Sequence, residues 1–401
     1  MSPLTTEVVV VGGGPAGLLL SHLLHRAGID AVVLDHRTRH EIETTVRAGI
    51  LEDDSVRLLV ESGVSDRVLR EGHPHDGISL RFGGEHHRVD FRGLVGASAW
   101  LYPQTDVFTD LADARARDGG DVRFGVRDVL VDDVLTDRPR VAFTDADGVA
   151  HTVRARLVVG ADGSRSACRL LIPEEHRRAY SREYPFAWFG ILCDAPPSHP
   201  ELVYAHSDRG FALISQRTAE VQRMYFECDP DEDVDAWPDD RIWGELQARV
   251  AGDDGFTLRE GAVTDRSVLR FRSFVCEPMR WGSLLLAGDA AHTVPPTGAK
   301  GLNLALADVR VLAEVLEQAL RGGDTDALDT YGPRASARVW KAQHFSYWMT
   351  TMLHRAPDGS PFDTRRQLGE LAGVVGSTAG STYLAEGYTG WPTGPGMTAR
   401  R

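Results

Sequence analysis

The chain has 401 residues, 42% apolar and 25% charged, which is enough to bury two or three packed units. Fifty-eight acidic against 44 basic residues leave a net charge of -14, a field that repels nucleic acid and anionic membrane surfaces, so an anionic ligand needs a local arginine cluster. Cys168, Cys193, Cys228 and Cys276 lie far apart and form no CxxC pair, which argues against a zinc site or a stapled secreted scaffold and fits a reduced, cytoplasmic setting, and no apolar run reaches the roughly 18 residues of a membrane span.

In chain order, Glu7 to Val11 is a short β-branched run leading through Gly12-Gly13-Gly14-Pro15-Ala16-Gly17 into a helical stretch, Leu18 to Leu24, which Gly28 closes. A second strand over Ala31 to Leu34 ends at Asp35 and completes a βαβ unit. Short alternating strands follow from Asp121, with Asp147-Gly148 as a hairpin turn. Leu157-Val158-Val159 then runs into the loop Gly160-Ala161-Asp162-Gly163. Between Tyr184 and Phe271 more alternating strands, among them Phe211 to Ile214 and Met224 to Phe226, predict a separate sheet. The strand Ser283 to Ala287 returns to the first unit, and the remainder reads as helix. Phe345, Trp348 and Met352 recur at helical spacing as core or subunit contact, and the end after Gly390 reads as a loose tail.

Gly12, Gly14 and Gly17 match G-x-G-x-x-G between a strand and a helix. The first glycine permits the tight turn, the second lets backbone approach a pyrophosphate, and the third allows close helix packing. The helix N-terminus supplies N–H groups and a positive dipole end. The Asp35 carboxylate is placed to take ribose hydroxyls. This motif alone leaves NAD and FAD open.

Ala161-Asp162-Gly163 and Leu286-Ala287-Gly288-Asp289-Ala290-Ala291-His292 resemble, in order, the two further signatures of the FAD-dependent aromatic hydroxylases. The resemblance covers essentially the whole chain. It takes in Arg47-Ala48-Gly49-Ile50-Leu51-Glu52, Gln104-Thr105, Tyr184-Pro185-Phe186, Arg209 to Leu213, Ser215-Gln216-Arg217, Arg272 to Val275, Pro295 to Asn303, and Tyr388. It implies an α/β architecture: a Rossmann-like FAD-binding domain over 1–180 and 268–300, a substrate-binding sheet domain over 181–267, and a helical C-terminal region over 301–401. It also implies a homodimer with FAD as cofactor, NADH or NADPH as reductant, O2 as co-substrate and no metal.

The substrate that the resemblance implies is a small aromatic carboxylate, 4-hydroxybenzoate, converted to 3,4-dihydroxybenzoate. The alternatives are another 4-substituted benzoate such as 4-aminobenzoate, or a flavin reductase or oxidase that releases hydrogen peroxide. Residue by residue, Ser215, Gln216, Arg217 and Tyr225 would hold the substrate. For Arg217 there is an independent physical case, since a planar guanidinium meets a carboxylate through two parallel hydrogen bonds. Tyr204 and Tyr388 would contact the phenol, with His75 at the outer end of a proton relay. The Pro296 carbonyl would accept from the phenol, while Thr297 and Asn303 order the flavin edge. FAD would be met by Gly12, Gly14, Ala16, Gly17, Asp35, Thr45, Val46, Arg47, Ala48, Gly49, Ile50, Gln104, Asp162, Arg223, Gly288, Asp289, Gly298, Leu302 and Asn303. His36, Arg37, Arg165, Arg169 and Arg272 would receive the nicotinamide nucleotide. Asp35, Thr45 and Arg165 depart from the family's usual residues, and Glu41, turned inward, would repel a 2'-phosphate. NADH is therefore expected to serve at least as well as NADPH.

Overall fold

The computed structural model describes residues 4–45 and 49–391. The expected cofactor contacts Val46, Arg47 and Ala48 lie outside the described residues, as does the expected tail beyond Trp391.

Val8–Val11 is buried at every position, as a strand covered on both faces must be. It is the centre of a six-stranded sheet. On one side it pairs in parallel with Ala31–Asp35, which pairs with Asp121–Phe124. On the other it pairs in parallel with Leu157–Gly160, which pairs with Leu284–Leu286. Arg280–Trp281 adds an antiparallel edge. The helix Pro15–Arg26 makes the first crossover. Strand order therefore reverses between Val8–Val11 and Leu157–Gly160, and ligands of such sheets sit outside the carboxyl ends at that point. Gly12 and Ala161 leave side by side there: Gly12 N donates to Leu34 O at 2.7 Å and Ala161 N to Val11 O at 2.7 Å. The Asp147-Gly148 turn joins Arg140–Thr144 to Ala150–Arg154 as expected, within a separate four-stranded sheet.

A second sheet of eight strands carries the far side of the cleft. It is wider than the span 181–267: Gly77–Phe82 and Glu85–Asp90 join it through a parallel pairing with Leu202–Ser207. Two long strands, Arg178–Asp194 and Ala262–Glu277, run between the two sheets. Their register shifts between Glu183 and Ala187. Pro185 sits in that interruption, where a residue without an N–H costs no ladder bond. The helix Asp239–Val250 covers one face of this sheet through Ile242, Leu246 and Val250. Against the other face, where Leu80, Tyr204 and Phe211 point, pack Phe345, Met349 and Met352 of the long helix Ala327–Leu353. Phe345 and Met352 are thus core residues, and Trp348 packs at the margin of the same cluster. The helices Pro361–Val375 and Thr378–Thr389 complete the C-terminal part and deliver Tyr388 to the cleft side of this core.

Candidate active site

A cleft of about 1150 Å³ runs from the glycine turn, past Asp35 and Gln104, to Tyr204, Arg217 and Pro296. At the glycine end the backbone demands are severe. A Cβ on Gly12, which has φ +110°, would lie 2.1 Å from Ala161 O, and one on Gly17 would lie 1.9 Å from Gly12 O. A Cβ on Gly14 would meet nothing within 4 Å. Gly14 is also the N-cap of Pro15–Arg26, with no side chain capping the first turn. The open space and the uncapped N–H groups coincide, which is the chemistry a diphosphate requires. Ala16, Gly49, Ile50 and Leu302 line the same cleft. At Gly49 a Cβ would lie 2.0 Å from Tyr102 O. The residues present therefore fit an extended dinucleotide.

Several expected cofactor residues spend their polar atoms on bracing the site. The Asp35 carboxylate accepts from Gly13 N at 2.8 Å, Arg37 N at 2.8 Å and the Arg37 guanidinium at 3.2 Å. Asp162 accepts from Ser166 Oγ at 2.5 Å and Cys168 N at 3.0 Å, fixing its own loop. Asn303 uses its amide group to donate to Ile50 O and Ala299 O and to accept from Glu52 N. Thr45 Oγ1 donates to Glu41 O, and the Glu41 carboxylate caps the helix Arg39–Thr44 through Thr38. Gly298 answers to packing, because a Cβ there would lie 2.9 Å from Ser346 Oγ. Arg169 bridges two loops, donating to Ala290 O at 2.7 Å and Ser164 O at 2.9 Å over the Phe274 ring, and Arg272 lies over that same ring. His36, Arg37 and Arg165 border the cleft mouth.

At the other end the second sheet presents Ser215, Gln216, Arg217, Arg223 and Tyr225 into the cleft. Ser215 Oγ donates to Arg223 O at 2.8 Å. The Arg217 Nη1 is buried without a hydrogen-bond partner. Burial, and then the neighbouring Arg223, hold the Arg217 pKa below its ordinary value. Gly190 leaves room for Tyr225: a Cβ there would lie 2.7 Å from the ring.

The structure brings Tyr204 and Tyr388 together, their hydroxyls 2.7 Å apart, with Tyr204 Oη also 3.4 Å from Thr297 O. Burial raises the pKa of both phenols. The Thr297 hydroxyl accepts from Thr350 Oγ1, turning it into the long helix, and Pro296 O accepts from Ala299 N inside the turn. His75 is only 3% exposed, so it is no surface histidine. Neither ring nitrogen has a hydrogen-bond partner among the described residues, and burial pushes its pKa down to about 4.

Sequence reasoning gave no role to Lys300, Glu52 or Arg338. Lys300 Nζ is fully buried and donates to Glu52 Oε1 at 2.7 Å and to Tyr388 O at 3.0 Å, while Arg338 holds Glu52 Oε2 at 3.0 Å. Burial lowers the Lys300 pKa, with Glu52 working against that shift. Lys300 and Glu52 stood inside quoted motifs, but nothing in the sequence paired them.

Residues 5–346 match the family described as FAD binding domain, and the chain belongs to that family. It is 41% identical to p-hydroxybenzoate hydroxylase of Acinetobacter baylyi, over 98% of this chain and 97% of that protein. A probable NADH-specific resorcinol 4-hydroxylase of Rhodococcus jostii is 28% identical over 81% of this chain and 61% of its own length. The crystal structure of p-nitrophenol 4-monooxygenase from Pseudomonas putida shares the fold, with a TM-score of 0.82 at 21% identity, covering 97% of this chain and all of that one. The cofactor is FAD, as the three loops in family order imply. Among the described residues, no cluster of His, Cys, Asp or Glu is arranged to hold a metal, and no helix is long and apolar enough to cross a membrane.

Proposed function

We propose that this protein is a 4-hydroxybenzoate 3-monooxygenase. It converts 4-hydroxybenzoate, NAD(P)H, a proton and O2 into 3,4-dihydroxybenzoate, NAD(P)+ and water. The observation that carries the proposal is the buried Arg217 Nη1, unpartnered among the described residues, in the same cleft as Tyr204, whose hydroxyl is bonded to that of Tyr388. A buried guanidinium nitrogen without a partner among the described residues calls for a carboxylate, and the tyrosine pair calls for a phenol.

FAD supplies hydride acceptance and oxygen activation when bound. The chain's own residues bind, orient and ionise. Arg217 holds the carboxylate, with Ser215, Gln216 and Tyr225 around it, and this fixes the ring across the cleft. A free phenol has a pKa of about 10, so ionising it at pH 7 costs roughly 4 kcal/mol. Tyr204 takes the phenol proton as it passes its own to Tyr388, and both side chains remain neutral because burial raises their pKa values. Lys300 and Arg338 outweigh the single Glu52 carboxylate, leaving net positive charge behind Tyr388 that favours the ionised phenol. His75, neutral because burial holds its pKa near 4, would pass the proton on to solvent at the outer end of the path and not retain it.

The test is incubation with FAD, NADH or NADPH and a panel of 4-substituted benzoates, followed by counting product and peroxide. One 3,4-dihydroxybenzoate per nicotinamide supports the proposal; peroxide alone overturns it. Tyr204→Phe is expected to slow hydroxylation of the phenol 10²- to 10⁴-fold, with peroxide replacing product. An undiminished rate would point to 4-aminobenzoate. The protein is further proposed to be a homodimer in a reducing, cytoplasmic compartment. This is supported by four free cysteines and by exposed aromatic residues Tyr180, Trp340 and Tyr347; sedimentation at micromolar concentration tests the dimer.

A further inference from the structure

We infer that Asp308 is the positioning residue for the turn that carries Asp289 to the cofactor. One buried carboxylate oxygen holds both ends of that turn. The inference rests on the FAD assignment of the cleft and is independent of the substrate.

Leu284–Leu286 brings the chain out of the first sheet, and His292–Thr293 takes it into the second, where His292 pairs with Val275. Between them the single turn Gly288–Ala290 carries Asp289 into the cleft lining. Gly288 has φ +62°, and a Cβ there would lie 3.1 Å from the Ala305 Cβ and 3.6 Å from the Ala16 Cβ. The turn is therefore wedged where two helices converge. Asp308, two turns into the helix Gly301–Leu320, points its Oδ2 at this wedge. That oxygen accepts from Gly288 N at 2.9 Å and from His292 Nε2 at 2.6 Å. His292 and Asp308 are each only 2% exposed. Burial opposes the charged form of His292, yet the Asp308 carboxylate outweighs it and raises the imidazole pKa.

Charge-assisted bonds of this length, shielded from water, are among the stiffest a side chain can make. By fixing Gly288 and His292 together, Asp308 restrains the three residues between them, Asp289 among them. A contact serving stability alone would need only one of the two bonds. This geometry sets the direction of Asp289 through the backbone on both sides of it.

The experiment is titration of FAD into apoprotein, followed by flavin fluorescence, for wild type, Asp308→Asn, His292→Gln and Asp289→Ala, with apoprotein Tm measured in parallel. Asp308→Asn is expected to weaken FAD binding about 10- to 100-fold, the equivalent of one charge-assisted hydrogen bond. His292→Gln should weaken it less. The double variant should fall short of the sum, because the two residues share one oxygen. If Asp289→Ala weakens FAD binding while Asp308→Asn stays within twofold, the positioning role is overturned. If Asp289→Ala has no effect either, the FAD assignment of this turn falls and the inference with it. Should Asp308→Asn fail to fold, an unchanged FAD affinity in His292→Gln overturns the inference by itself.

Discussion

Arg217 ends in a cleft where none of the described residues pairs its Nη1, and Arg223 beside it adds like charge. Replacing it with alanine removes a bidentate partner for a carboxylate, so substrate Kd should rise about 100-fold or more. Arg217→Lys should recover only part of that loss, since an ammonium cannot make the parallel pair of bonds. Both follow from substrate titrations of the holoenzyme. His75 carries a different expectation. Its ring titrates near 4 when folded and near 6.5 when unfolded. Between those values the unfolded chain holds the extra proton, so stability is complete above pH 6.5 and declines as pH falls toward 4. At pH 5 the loss from this one residue is roughly 2 kcal/mol. Urea denaturation at pH 7 and pH 5 should show His75→Phe losing that much less than wild type.

Elements meet at this site with little room to spare, and Gly190 marks one close approach on the substrate side. The Tyr225 ring lies against it and against Trp188, so the methyl of Gly190→Ala pushes a ring that has no easy retreat. Overpacking of this kind costs about 1–3 kcal/mol. Substrate Kd should rise roughly tenfold while FAD affinity stays unchanged, since Gly12 to Gly17 lie at the other end of the cleft. The glycine loops were legible in the sequence because their constraints are local: a positive φ at Gly12, or the close approach at Gly17, admits no other residue. Arg217 and the two tyrosines were legible only through resemblance. Lys300, Glu52 and Arg338 were not legible, because the contact exists only after the helices Gly301–Leu320 and Ala327–Leu353 have closed on the strand Ile50–Glu52. Asp162 and Asn303 show a related limit: composition cannot say whether a polar side chain faces the ligand or the loop that holds the ligand.

At the scale of the whole molecule, two separate sheets face one cleft: the first carries the glycine turn, and the second carries the residues proposed to hold substrate. The width of the second sheet escaped sequence reading because Gly77–Asp90 joins it by a parallel pairing with Leu202–Ser207, which leaves no hairpin signal. The mouth between the sheets bears on the choice of reductant. Glu41 is committed to capping its own helix instead of facing a 2'-phosphate, while Arg37, the nearby cation, is already engaged with Asp35. Steady-state turnover should proceed with NADH at least as well as with NADPH; a strong NADPH preference would contradict this.

The bond between Tyr204 and Tyr388 spans 184 positions, and this sets an order of events during synthesis. Every loop assigned to FAD is complete once Asn303 has been made, whereas Tyr388 follows on the order of ten seconds later at ordinary elongation rates. The residues assigned to FAD are therefore all made before the second member of the tyrosine pair. The tyrosine pair, and with it the proposed proton path, is completed only when the helix Thr378–Thr389 docks.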